Sequence, residues 1–230
     1  WKAPYMEYEQ PEADAVYVIG ADPCGHAARD HAAFQVLKVY DGEWTQVAAY
    51  ADHKDPLVFS ERLMKTGLKY NNANIIVESN GVGQGVLALL REWEYPNIFF
   101  EKRRKPGFTA TSKSLDQSLG WLIDALLDEL ILHDEDTVEQ LISYKNDKLI
   151  EESASSELAR GQTNRKRRDR HHWDKISALQ MAIIGARYAP RRYKPNLDDN
   201  GDNVIELRPL TYDEKTDLLN RRKTRKRYWL

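Results

Sequence analysis

VYVIGADPCGHAARDHAAFQVLKVYDGEWTQVAAYA, residues 16–51, contains three apolar, β-rich runs: VYVIGAD (16–22), AAFQVLKVY (32–40) and EWTQVAAYA (43–51). β-branched and aromatic residues of this density suit strands, and short polar turns separate the runs. Asp41-Gly42 is a strong hairpin dipeptide, so the stretch predicts an antiparallel meander with Asp22 closing its first strand. Downstream, Asp55-Pro56 places a side-chain acceptor at a helix cap and proline at the first helical position, and the helix runs to about Tyr70. NIIVES (74–79) reads as a short buried strand. Val86, Leu89, Leu90 and Trp93 form a helical stripe, and NIFFEK (97–102) reads as another strand. Leu115, Leu119, Leu122, Ile123, Leu126, Leu127 and Leu130 recur at helical spacing over 112–130. A further helix covers about 134–145, and 146–170 is expected to be a β-hairpin or loop. A last helix, 173–188, is closed by Pro190 and Pro195. This alternation predicts an α/β fold: a mixed sheet with antiparallel first three strands and helices on both faces. The predicted organisation is a linker or arm at 1–14, a domain at 15–190 and a basic C-terminal tail at 191–230.

With 230 residues, 41% of them hydrophobic, the chain is able to build one substantial core. The formal net charge of -2 conceals local blocks. KRRK (102–105), RKRRDR (165–170) and RRKTRKR (221–227) are basic, and the chain is acidic around 134–139. Such short blocks are commonly solvated surface, but several of them in a chain with a candidate acidic site suggest a polyanionic partner. The single cysteine, Cys24, excludes an internal disulfide and a cysteine zinc cage, and suits a reducing compartment. No stretch has the length of a membrane span, and no signal peptide is visible. The first residue is Trp, so the sequence is expected to be a fragment of a longer polypeptide.

Three acids stand at element ends: Asp22 and Glu78 after strands, Asp174 at the start of the last helix. Carboxylates placed this way can converge at one edge of an α/β sheet, where divalent cations would neutralise their mutual repulsion. Each also has an ordinary reading. Asp-Pro starts turns, a Glu can sit incidentally in a capping loop, and an Asp in a first helical turn is favoured by the macrodipole. Asp30, eight residues after Asp22, opens the second strand across the turn and is a candidate auxiliary acid. SNGVGQG, following Glu78, leads into a helix whose N-terminal amides suit a phosphate, yet it fits neither a P-loop nor the dinucleotide fingerprint. Lys175 either contacts phosphate or points to solvent. His171 and His172 are zinc-ligand types without a matching Cys/His pair elsewhere.

Taken together, IGADPCGHAARDHAAFQV (19–36), YNNANIIVESNGVGQGVLALL (70–90), GFTATSKSLDQSL (107–119) and HHWDKISALQMAI (171–183) resemble the nuclease domain of tailed-bacteriophage terminase large subunits, the DNA-packaging motors. The resemblance covers about 15–190. It implies an RNase H-like fold and an endonuclease that hydrolyses double-stranded DNA with two Mg²⁺ or Mn²⁺ ions. By motif position Asp22 would bridge the ions, Glu78 and Asp174 would each hold one, and Asp30 would be the fourth acid. The family's last motif usually reads His-Asp-Asp; here Trp173 replaces the first Asp, so Asp174 must be the ligand, and Ser177 stands where some members carry a further acid. Lys102, Arg103, Arg104, Lys105, Arg165, Lys166, Arg167, Arg168 and Lys175 are expected at DNA phosphates, giving sequence-independent, salt-sensitive binding. Implied partners are an ATPase domain of the same parent polypeptide, the portal and the small terminase subunit, in the host cytoplasm and away from membranes. An RNase H-like junction resolvase or transposase-type nuclease uses the same carboxylate logic, and a catalytically silent DNA-binding module shares the fold logic alone.

Overall fold

The computed structural model describes residues 4–24, 31–40, 43–128, 130–153, 173–189, 196–197 and 203–204. The three predicted runs form β2 (Val16–Asp22), β3 (Ala32–Tyr40) and β4 (Glu43–Asp52). They pair antiparallel, from Val16↔Val39 to Asp22↔Ala33 and from Ala32↔Asp52 to Tyr40↔Glu43. β5 (Asn74–Val77) adds to the far side of β2 in parallel, with Ala21 opposite Val77. The resulting order is β1-β4-β3-β2-β5, where β1 is Tyr5–Glu7 and β8 (Leu130–Ile131) pairs in parallel with the start of β4.

The region expected to be an arm thus contributes an edge strand. Tyr5–Glu7 pairs with Ala48–Tyr50 and covers backbone groups of the longest strand that would otherwise lie open. Long-range polar contacts hold the rest of the segment down. Lys38 Nζ reaches Glu9 at 2.6 Å and Glu12 at 2.9 Å, and Tyr70 donates its hydroxyl to the Glu9 carbonyl at 2.8 Å. Three residues are too few for a detectable period, and these partners are remote in sequence.

α1 (Pro56–Lys69) starts as its cap predicts, with Asp55 accepting from the Leu57 amide at 2.8 Å. Asp55→Ala is expected to cost about 1 kcal/mol, read from a urea melt. α1 and α2 (Gly83–Glu92) cover one face of the sheet through Phe59, Leu63, Val86, Leu87 and Leu90, against Tyr17, Ile19, Ala21, Ile75 and Val77. Alternate strand residues, Val18, Leu37 and Ile76, face the other side, which is filled by α3 (Ser112–Asp128), α4 (Glu135–Ser153) and α5 (Asp174–Tyr188). Helices therefore lie on both faces.

Three local expectations change. The helix expected over 112–130 ends at Asp128, and of its stripe Leu122 is buried, beside Ala125, while Leu127 stays 77% exposed. α4 continues to Ser153, so 146–153 is helical where a hairpin or loop was expected; Lys, Leu, Ile and Glu in KLIEE sustain helix without an apolar stripe. In place of one strand at 97–102, Ile98 bridges Ile75, and β6 (Phe100–Lys102) turns into β7 (Lys105–Pro106). The remainder of 154–170 lies outside the described residues, as do Asp41 and Gly42. By contacts the chain divides into two units, Trp1–Tyr193 and Lys194–Leu230; the second contains a short hairpin of β9 (Asn196–Leu197) and β10 (Asn203–Val204).

Candidate active site

Side chains alternate along a strand, so Asp22 follows Val18 and Gly20 onto the α5 face, and Glu78 follows Ile76. The two acids are neighbours across the β2–β5 ladder: the Glu78 amide donates to the Ala21 carbonyl at 2.9 Å, one residue beyond the Ala21↔Val77 pair. Both therefore stand at the C-terminal edge of the parallel pair, the end at which open α/β sheets place ligands.

α5 brings the third acid. Gly20 lies against Ala178 and Ala182, and Gly185 against Val18 and Ile76, so the helix runs antiparallel to β2 with its first turn toward Asp22. Asp174, Ala178 and Ala182 recur every four residues on one helical face. Asp174 Oδ2 accepts the His31 amide at 2.8 Å and lies 3.4 Å from His31 Nδ1. His31 immediately precedes β3, and β3 pairs with β2 at Asp22↔Ala33. The ends of β2 and β5, the start of β3 and the first turn of α5 thus form one contiguous edge. Its three carboxylates come from segments separated by more than fifty residues each.

The surroundings of these acids differ. Asp22 and Glu78 are half-buried, and Asp174 is 8% exposed. Burial raises the Glu78 pKa, and no charge or hydrogen bond offsets this among the described residues. A desolvated carboxylate in that state gains from a cation. Hard oxygen donors from Asp and Glu suit Mg²⁺ or Mn²⁺ better than zinc. The residues therefore fit divalent ions in chemistry, although no group of three or more His, Cys, Asp or Glu side chains closes into a preformed cage among the described residues. Trp173 packs edge-on against Tyr144 of α4, ring centroids 4.6 Å apart, so the residue that replaces the expected acid serves the α4–α5 contact.

Lys175 departs from both of its sequence readings. It is 7% exposed, and its ammonium sits 2.7 Å from Asp134 Oδ2 and 3.2 Å from Asp136 Oδ2, which removes it from the phosphate-contacting set. Burial alone would raise the Asp134 pKa; hydrogen bonds from Lys175, Thr137 and Tyr8, with the Lys175 charge, outweigh it and hold the carboxyl below its ordinary value. Asp134 also caps α4, accepting from the Thr137 amide at 2.9 Å and its hydroxyl at 2.6 Å. Nothing local in HDEDT (133–137) connects Asp134 to Lys175. His31 and His53, whose rings lie tilted at 36° with centroids 3.8 Å apart beside this edge, likewise escaped the sequence reading.

Lys102, Arg103, Arg104 and Lys105 occupy the exposed end of the β6–β7 hairpin. Lys105 pairs with Glu101 at 3.0 Å. The base of the hairpin docks beside Glu78: Phe108 bridges Glu78, and the Ser79 amide donates to the Phe108 carbonyl at 2.8 Å. Gly107 makes that docking possible, with φ of 76° and a Cβ position only 2.8 Å from the Val77 carbonyl oxygen. Asp30, Arg165, Lys166, Arg167, Arg168, His171 and His172 lie outside the described residues.

No protein-family model and no curated protein matches this sequence. Solved structures do match: the fold is the RNase H-like one of large terminase nuclease domains. The large terminase nuclease of thermophilic phage G20c, solved with bound magnesium, superposes with a TM-score of 0.58 at 15% identity, over 84% of this chain and 90% of that one. Its zinc-bound form gives 0.56 at 16% identity over 80% and 89%, and its cobalt-bound form 0.55 at 17% over 84% and 90%. At these identities the likeness is one of fold.

Proposed function

We propose that this chain is a metal-dependent endonuclease that cleaves double-stranded DNA during viral genome packaging. The observation that carries the reading is the placement of Asp22, Glu78 and Asp174 on the α5 face at one sheet edge, in a fold shared with terminase nucleases. Asp22, Glu78 and Asp174 would hold the Mg²⁺ or Mn²⁺ ions, and Asp22, next to Glu78 on the neighbouring strand, would be the one shared between two of them. When bound, such ions would supply an activated water for attack on phosphorus and neutralise charge on the departing oxygen. The chain's own part is to hold three oxygen donors at fixed positions and keep Glu78 partly out of water. His31, through its backbone amide, orients Asp174. Asp30 remains the candidate fourth acid.

The hairpin end would position the duplex, since its base is fixed beside Glu78 and its end carries Lys102, Arg103 and Arg104. The segment with Arg165, Lys166, Arg167 and Arg168 would add further phosphate contacts. Replacing Lys102, Arg103 and Arg104 together with Ala is expected to reduce the slope of log affinity against log salt by about 2 to 3, uniformly across duplex sequences. Fluorescence anisotropy at several salt concentrations measures it; an unchanged slope removes the hairpin from the interface. The partners that accompany this reading are an ATPase domain of the parent polypeptide, the portal and the small terminase subunit, in the host cytoplasm. No helix among the described residues is long and apolar enough to cross a membrane.

The direct test is digestion of supercoiled plasmid with Mg²⁺, with Mn²⁺ and with EDTA. Cleavage is expected with a divalent ion and none with EDTA. A chain that binds the plasmid but never cuts it is the silent DNA-binding module, and one that cuts four-way junctions in strong preference to plain duplex is a resolvase.

A further inference from the structure

We propose that Lys175 is a positioning residue for Asp174, acting as a buried clamp between α5 and the start of α4; this rests on the assignment of Asp174 to the metal-binding edge. The start of α5 has no side-chain cap of its own, because Trp173 at the cap position makes no such bond. A helix start leaves backbone amides to be satisfied. Here other elements hold it at Lys175, the residue after the carboxylate. The Lys175 amide donates to Gln140 Oε1 at 3.2 Å, its carbonyl accepts from Gln35 Nε2 at 3.4 Å, and its ammonium is clamped by Asp134 and Asp136.

The clamp is itself anchored. Asp134 is held by Thr137 and, from the N-terminal segment, by the Tyr8 hydroxyl at 2.7 Å. Gln46 of β4 accepts the amides of His133 and Asp134 at 2.8 and 2.7 Å and donates to Gln35 of β3 at 2.6 Å. Each polar group in this buried set is matched by a partner on another element, so the first turn of α5 is referenced to β3, β4 and α4 at once. An apolar pair at such a place commonly stabilises a fold at least as well as an ion pair, whereas an ion pair specifies one geometry. One ammonium and two acids that must meet at hydrogen-bond distance allow the α5 start little freedom to slide along the sheet. Metal affinity depends on that freedom, since a ligand free to shift must be ordered on binding.

The test is Mn²⁺ binding by the intact chain, followed by electron paramagnetic resonance of the free ion below every variant's melting midpoint. Lys175→Met and the charge-balanced Lys175→Met/Asp134→Asn are expected to weaken Mn²⁺ binding by about 10-fold or more. Plasmid cleavage should need correspondingly more Mn²⁺, yet reach a near-wild-type rate at saturation, a split that loss of folded protein does not produce. Asp22→Asn and Glu78→Gln are the controls for the site. If they weaken binding while both Lys175 variants bind as the wild type does, the clamp is refuted and the metal site stands. If the wild type binds no Mn²⁺, or the controls change nothing, both readings fall. Should the Lys175 variants not fold, Asp136→Asn and Tyr8→Phe carry the test: weakened binding supports the clamp, and wild-type binding in both overturns it.

Discussion

Replacing Asp22, Glu78 or Asp174 by its amide is expected to lower plasmid cleavage at saturating Mn²⁺ by on the order of a thousandfold, with the fold intact. The amide keeps the size and one oxygen but loses the charge that would balance a divalent ion. Metal-assisted charge neutralisation contributes several kcal/mol to such a reaction, and about 4 kcal/mol corresponds to three orders of magnitude in rate. Asp22→Asn should be the most severe, since under the proposed function Asp22 would be shared by both ions. Glu78→Gln carries a second, opposite signature. Burial raises the Glu78 pKa, so its ionisation disfavours the folded state as pH rises from its ordinary value through its folded one. In metal-free buffer at neutral pH, Glu78→Gln should therefore melt at the same temperature as the wild type or higher. Any amide variant that cuts within tenfold of the wild type sinks that residue's role, and an apo melting temperature that falls sharply in Glu78→Gln contradicts the desolvation account.

The second large effect concerns the helix that brings Asp174 to the edge. A Cβ at Gly20 would overlap Ala182 N and Ala178 O and lie 2.7 Å from Ala182 Cα, all backbone atoms of α5. Backbone cannot rotate away as a side chain can, so Gly20→Ala must push α5 off the sheet. The expected cost is about 3 kcal/mol, at the upper end for overpacking, which for a chain of this size lowers the melting temperature by roughly 6–12 °C. Mn²⁺ affinity should fall with it, because Asp174 moves with the helix. Gly120 on α3 provides the contrast: a Cβ there meets nothing within 4 Å, so Gly120→Ala should be neutral or stabilising by up to about 1 kcal/mol. Equal melting temperatures for Gly20→Ala and the wild type would show that α5 does not approach β2 this closely.

Much of the sheet was legible because strand signals are local. VYVIGAD, AAFQVLKVY and EWTQVAAYA carry composition and turn residues that need no distant partner to interpret, and Asp55-Pro56 caps its helix through a bond two residues away. The α4 extension was not legible, since residues after 145 lack an apolar stripe and continue as helix on propensity alone. The edge strand Tyr5–Glu7 was missed because its meaning lies in Ala48–Tyr50, more than forty residues on. The candidate carboxylates were visible singly, each with an ordinary alternative, and their common face emerged only from strand alternation combined with the direction of α5.

Lys175 marks the boundary most clearly. Beside Asp174 and near a basic block, its charge reads as a phosphate contact or a solvated side chain, and both readings follow from chemistry that ignores where the residue is. Its true partner, Asp134, lies 41 residues away on another element. By itself, the sequence determined the strands of the meander, the capped helix and which acids stand at element ends, because period, propensity and capping act over a few residues. Only the tertiary structure decided which elements meet at the sheet edge and that the Lys175 charge pairs with Asp134 and Asp136, because burial and ion pairing depend on distance in space, which chain order does not encode.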